Sequence, residues 1–111
     1  MKSSILQGYE YIQSLLRSKW VPEIIEGLSD GHNRFSLLKR NIDQIGDTEL
    51  KRKLKYLVDA GVVDKTGLGH QVRYSLTPFG MELDHLFSHI RDIGHRYHDG
   101  VASSPTTMDP Y

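Results

Sequence analysis

The chain has 111 residues, 14 basic and 14 acidic side chains, six histidines and no cysteine. The length fits one domain able to bury its own core, and the missing cysteine excludes disulfides, thiolate metal centres and thiol redox chemistry. No apolar run approaches a membrane span and no signal-peptide pattern opens the chain, so a cytoplasmic protein without membrane contact is expected.

Residues 4–16 read as a first helix: Ser3 or Ser4 can cap it, and Ile5, Tyr9, Ile12, Leu15 and Leu16 recur at helical spacing. A second helix is predicted from Trp20 to Leu28, with Pro22 in its first turn, where a missing N–H costs nothing. The run Ser29-Asp30-Gly31-His32-Asn33 breaks it. A third helix spans Arg34 to Asn41 with Phe35, Leu38 and Ile42 inward, and Asp43-Gln44-Ile45-Gly46 is a turn. The fourth helix starts at Asp47 or Thr48, carries Leu50, Leu54, Leu57 and Val58 on one stripe, and ends where Gly61 can take a left-handed cap.

Then the period changes. Val62 to Thr66 and Gln71 to Leu76 read as two strands joined by Gly67-Leu68-Gly69-His70, a β-hairpin. Thr77 as N-cap and Pro78 at the first helical position open a last helix, whose stripe is Phe79, Leu83, Leu86, Phe87, Ile90, Ile93 and Tyr97. A strand between the early helices can be no more than a short bridge around His32-Asn33. From Asp99 onward little can be buried, and residues 99–111 are expected to be a disordered tail after a domain of residues 1–98. The order α-α-α-α-β-β-α is mainly helical with a small hairpin, the arrangement of a winged helix-turn-helix.

The zero net charge hides an uneven distribution. Residues 1–33 hold three basic and four acidic side chains, net −1; residues 34–73 hold nine and five, net +4; residues 74–111 hold two and five, net −3. A basic island on a neutral chain is an electrostatic footprint for phosphate, although a charge run is also what any solvated helix face carries. A recognition helix lies in the major groove and touches base edges. Stepping about 100° per residue from Leu50, Thr48, Arg52 and Lys55 fall opposite the core stripe, with Lys51 and Tyr56 flanking them. Arg52 can donate two hydrogen bonds to guanine, Thr48 can meet a phosphate or a thymine methyl, and Lys51 and Lys55 suit phosphate. Glu49 is awkward beside phosphate. On the hairpin, Lys65, His70 and Arg73 can straddle the DNA backbone. The expected DNA-contacting set is Arg34, Ser36, Thr48, Lys51, Arg52, Lys55, His70 and Arg73, from a recognition helix at about 47–60 and a wing at about 62–76.

The broad stripe of the last helix is wider than one small domain covers, and Tyr9, Ile12 and Leu16 of the first helix can face it. A homodimer through the terminal helices is therefore expected. The histidines offer another reading. His85 and His89 have the i, i+4 spacing of a helical metal pair. Glu82, Asp84, His95 and His98 partly resemble the terminal-helix site of ArsR-type metal sensors, with Asp84 where a histidine is usual. Such histidines more commonly serve as polar side chains on a surface or interface or respond to pH, and no cofactor or metal is expected. No nucleophile–base set, phosphate loop or metalloprotease motif is present, so an enzyme is not expected.

One resemblance covers about Arg17 to Tyr97. Lys19-Trp20, then Leu28-Ser29-Asp30-Gly31 with Arg34-Phe35 and Leu38, then Leu50, Leu54, Leu57 and Ala60-Gly61-Val62-Val63, then Arg73-Tyr74-Ser75-Leu76-Thr77-Pro78-Phe79-Gly80, resemble the HxlR-type winged-helix regulators. The resemblance implies a homodimeric bacterial transcriptional regulator, with the terminal helices at the dimer interface. Ser18 stands where those proteins usually have glycine, the hairpin is short, and the N-terminal cysteine many of them use for sensing is absent. The expectation is a sequence-specific double-stranded DNA-binding repressor with an unidentified small-molecule effector. The alternatives are a winged-helix protein-interaction module and a metal-responsive regulator using the late histidines.

Overall fold

The computed structural model describes residues 4–99. Five α-helices, α1 (Ser4–Arg17), α2 (Val21–Ser29), α3 (Phe35–Asn41), α4 (Asp47–Asp59) and α5 (Pro78–Gly94), surround a hairpin of β1 (Val63–Thr66) and β2 (Arg73–Leu76). The predicted element order holds, and the fold is mainly helical with a two-stranded antiparallel hairpin.

The core follows the apolar spacing. In α2, Val21, Ile24, Ile25 and Leu28 are buried at intervals of three and four; in α4, Leu50, Leu54 and Leu57 are buried at i, i+4 and i+7. Leu15, Leu38 and Leu83 close the cluster from α1, α3 and α5. The turn between α3 and α4 contributes as well. Ile42 and Ile45 are both buried in the core, while Gln44 between them takes a left-handed conformation (φ 69°).

Several predicted boundaries move. Trp20 does not begin the second helix: it precedes Val21 in a left-handed conformation (φ 73°), unusual for a bulky side chain. Its ring packs against the core and lies 5.2 Å from Lys19 Nζ, contacts that offset the strain. Arg34 is the N-cap of α3 rather than its first residue. Gln71 belongs to a 3-10 turn, Gly69–Gln71, so β2 begins at Arg73; Val62, though buried, precedes β1. The pairing runs from Val63 opposite Leu76 to Thr66 opposite Arg73. Beyond Gly94 the last helix widens into a π turn, His95–Asp99. In α1, Ile5 and Tyr9 lie outside the core, 80% and 62% exposed. The bridge expected around His32-Asn33 is one hydrogen bond, Tyr74 N–H donating to Asn33 O at 2.9 Å. The tail beyond Asp99 and the cap at Ser3 lie outside the described residues.

Two junctions hold the hairpin on the helices. Gly61 takes the left-handed cap expected after α4 (φ 78°). Thr77 caps α5, its Oγ1 accepting from Gly80 N–H at 3.0 Å, and donates the same hydroxyl to Gly61 O at 2.6 Å, with Val62 O at 3.1 Å beside it. One side chain therefore joins the start of α5 to the end of α4 across the base of the wing. Gly80 sits so close to the Val62 carbonyl that a Cβ would collide with it.

Candidate nucleic-acid interface

The third and fourth helices, with their short turn, stand beside the hairpin and leave a groove of about 820 Å³ between them. Its floor is apolar (Phe35, Leu54, Val58, Val72), and Arg34, Lys51, Lys55, Lys65 and His70 form its rim with Ser36. Five of the eight residues expected to contact DNA thus converge: Arg34, Ser36, Lys51, Lys55 and His70, all exposed. They come from three elements and from positions 34 to 70. α3 supplies Arg34 at its N-cap and Ser36 as its second residue; α4 supplies Lys51 and Lys55 one turn apart; the hairpin supplies Lys65 and His70.

The rim is not uniformly positive. Asp59, one turn beyond Lys55, also lines the groove, and Lys55 Nζ lies 3.0 Å from its Oδ2. Tyr74 lines the inner wall, and burial raises its phenol above the ordinary value, so it stays a neutral donor. Lys51 Nζ sits 6.0 Å from the Phe35 ring.

The other three expected residues lie apart from the groove. Thr48 and Arg52 are exposed on α4. The Arg52 guanidinium pairs with Glu49 one turn earlier, so the carboxylate that looked awkward beside phosphate is partly neutralised within the helix. Arg73 is half-buried and folded onto the wing tip, Nη1 donating to Val72 O at 3.1 Å and to His70 O at 3.5 Å.

Lys53 is a residue that sequence periodicity passed over. It donates to Ser18 Oγ at 2.9 Å, tying α4 to the turn between α1 and α2. Ser18 thus supplies the acceptor that anchors α4 to the turn between α1 and α2. Tyr11 adds a second tether, donating to Ala60 O at 3.2 Å and stacking on Phe79 with ring centroids 6.0 Å apart.

Of the late acidic and histidine residues, Asp84 accepts from Ser29 Oγ at 2.9 Å. Among the described residues no three His, Cys, Asp or Glu side chains of one chain are grouped to hold a metal ion. None of the described helices is long and apolar enough to cross a membrane.

The family model for HxlR-like helix-turn-helix proteins matches residues 15–101. YdeP of Bacillus subtilis (strain 168), named as an HTH-type transcriptional regulator, is 29% identical over 90 residues, 78% of this chain and 70% of YdeP. The reduced form of the transcriptional regulator YodB from B. subtilis superposes with a TM-score of 0.73 at 28% identity, over 87% of this chain and 95% of YodB. A structure from Enterococcus faecalis V583, described as a MarR-family regulator, shares the fold with a TM-score of 0.80 at 24% identity, over 93% of this chain and 96% of that one. With its helices, hairpin and matched residues in that order, the chain belongs to the HxlR-like helix-turn-helix family of transcriptional regulators.

Proposed function

We propose that the chain is a sequence-specific double-stranded DNA-binding repressor that acts as a homodimer in the cytoplasm. The observation that carries the DNA reading is the convergence of Arg34, Lys51, Lys55, Lys65 and His70 around one groove between α3, α4 and the hairpin. Cations from three elements on one rim match a phosphate backbone, whose neutralisation supplies most of the affinity. In this reading α4 enters the major groove. Its outward Thr48 and Arg52 meet base edges, Arg73 and His70 act from the wing, and Ser36 with Arg34 holds the backbone beside α3.

The dimer reading rests on apolar side chains that the single chain leaves in water. Ile5 and Leu6 of α1, Ile90 and Ile93 of α5, and Tyr97 beyond it are exposed. Such a surface favours a partner, and a second copy of the terminal helices is the self-complementary one. A two-fold dimer sets its recognition helices about 34 Å apart, one turn of DNA, on a pseudo-palindromic site.

Selection of bound genomic fragments, followed by gel shift at two salt concentrations, tests the DNA reading. A retained half-site pattern and a steep fall in affinity with salt are expected; no binding to any duplex at low salt overturns it and leaves a protein-interaction role. Light scattering at micromolar concentration is expected to give twice the chain mass, and a clean monomer removes the dimer and its operator spacing. An effector small molecule would show as release of the selected fragment.

A further inference from the structure

The tip of the wing carries a residue that phosphate binding does not explain. Leu68 is 87% exposed, more than any other exposed large hydrophobic side chain among the described residues. Its position is fixed by the backbone. Gln71 N–H donates to Leu68 O at 2.9 Å and Val72 N–H to Gly69 O at 3.5 Å, closing the 3-10 turn that follows it. The Arg73 guanidinium clamps the same turn from inside through the His70 and Val72 carbonyls. At Gly67 the chain is left-handed (φ 85°) and a Cβ would collide with the Gln71 carbonyl, so the tip closes tightly on itself immediately before the leucine. A closed turn thus holds an apolar side chain away from the core.

The surroundings say what it meets. Lys65 and His70, three residues before and two residues after Leu68, share the groove rim with Lys51 and Lys55 of α4. The single carboxylate of the hairpin, Asp64, lies towards its base, opposite Ser75. The tip is therefore an apolar point with a cation and an imidazole within three residues of it, suited to a surface whose walls are anionic and whose floor is apolar. The DNA minor groove has that character: phosphates line its edges, sugars form its walls, and base steps can be opened by an inserted aliphatic side chain.

We infer that Leu68 is a wedge that enters the minor groove next to the major groove occupied by α4, packs against the sugars at one base step, and bends the duplex there. The inference rests on the DNA reading proposed above. Lys65 and His70 hold the two phosphate edges while the leucine lies between them. The cost of opening a step depends on its sequence and is least at flexible pyrimidine–purine steps. Leu68 accordingly selects TA or CA at one flanking position of each half-site without making a hydrogen bond.

The test uses the full chain and a selected operator duplex labelled at both ends. Affinity, salt dependence, end-to-end energy transfer and preference at the flanking step are measured for the wild type, Leu68→Ser and Leu68→Met. Leu68→Ser, at an exposed site, is expected to weaken operator binding about tenfold, the scale of burying part of one leucine. It should also abolish the bend and flatten the step preference while leaving the salt slope unchanged, and Leu68→Met should restore most of each. Wild-type binding with affinity, bend and step preference unchanged in Leu68→Ser overturns the wedge and leaves the DNA reading intact. Weaker binding that comes with a change in particle mass, and with bend and preference retained, identifies the tip as a protein contact and also overturns it. A wild-type chain that binds no duplex overturns the DNA reading itself, and the wedge with it.

Discussion

Replacing Asp59 by Asn is expected to tighten DNA binding. Asp59 is the one carboxylate on the rim of the basic groove, and it holds Lys55 Nζ at 3.0 Å. Both side chains are mostly solvent-exposed, 62% and 78%, so the pair contributes only a few tenths of a kcal/mol to the fold, about 0.3–0.5 for an i, i+4 pair. Asp59 also ends α4, where a negative charge opposes the helix dipole, which offsets part of that contribution. The variant should therefore melt within about half a kcal/mol of the wild type. Its effect on binding should be larger. Asp59→Asn removes a repulsive charge from the phosphate path and frees Lys55 to make one more phosphate contact. One further contact steepens the slope of log K against log salt by about 0.9. Between 50 and 200 mM salt, a fourfold change, the advantage of the variant should then shrink by roughly 3.5-fold. Fluorescence anisotropy on the selected operator, read at four or more salt concentrations with melting measured alongside, checks both parts. A weaker variant, or a tighter one with an unaltered salt slope, would refute the placement of Lys55 against the DNA backbone.

Three further outcomes are expected. Arg52→Lys keeps the charge but loses the paired donors that match guanine, so binding to a library of operator variants should lose about 1–3 kcal/mol of discrimination at one position per half-site, with non-specific affinity almost unchanged; an unaltered guanine preference moves base reading to Thr48 or its neighbours. Arg73→Ala should flatten the salt slope by about one unit and weaken binding about equally at every position except the step flanking each half-site, where loosening the tip also relaxes the preference set by Leu68, whereas a changed preference inside the half-site would make that side chain itself a reader of bases. Thr77→Val removes both the α5 cap and the bond to Gly61 O, and chemical denaturation should show a loss of about 2 kcal/mol, roughly one for each; a loss below about half a kcal/mol would mean that the junction at the wing base is held by packing alone.

How much of this was legible beforehand depends on the range of the interactions. Thr77-Pro78 marks the start of α5, Gly61 the end of α4, and Leu50, Leu54 and Leu57 the buried side of α4, because caps and stripes are written within a few residues of where they act. The same local code put Lys51 and Lys55 away from the core and Lys65 and His70 on a hairpin. It carried no information about Trp20 in a left-handed turn, since what makes that conformation tolerable is packing of its ring on a distant core. Nor could it pair Lys53 with Ser18, which are 35 residues apart.

By itself, then, the order of local signals along the chain determined the helices, the hairpin and the surface on which each cation lies, because backbone propensity and apolar period are properties of short segments. Tertiary structure alone decided which cations share a groove. Arg34, Lys51, Lys55, Lys65 and His70 meet because α3, α4 and the hairpin pack on one core, in which Ile42 and Ile45 of the α3–α4 connection are buried, while Thr77 ties the base of the wing to the end of α4. It likewise left apolar side chains of α1 and of the far end of α5 exposed to water. Those outcomes depend on distances between segments far apart in sequence, and such distances exist only once the core has closed.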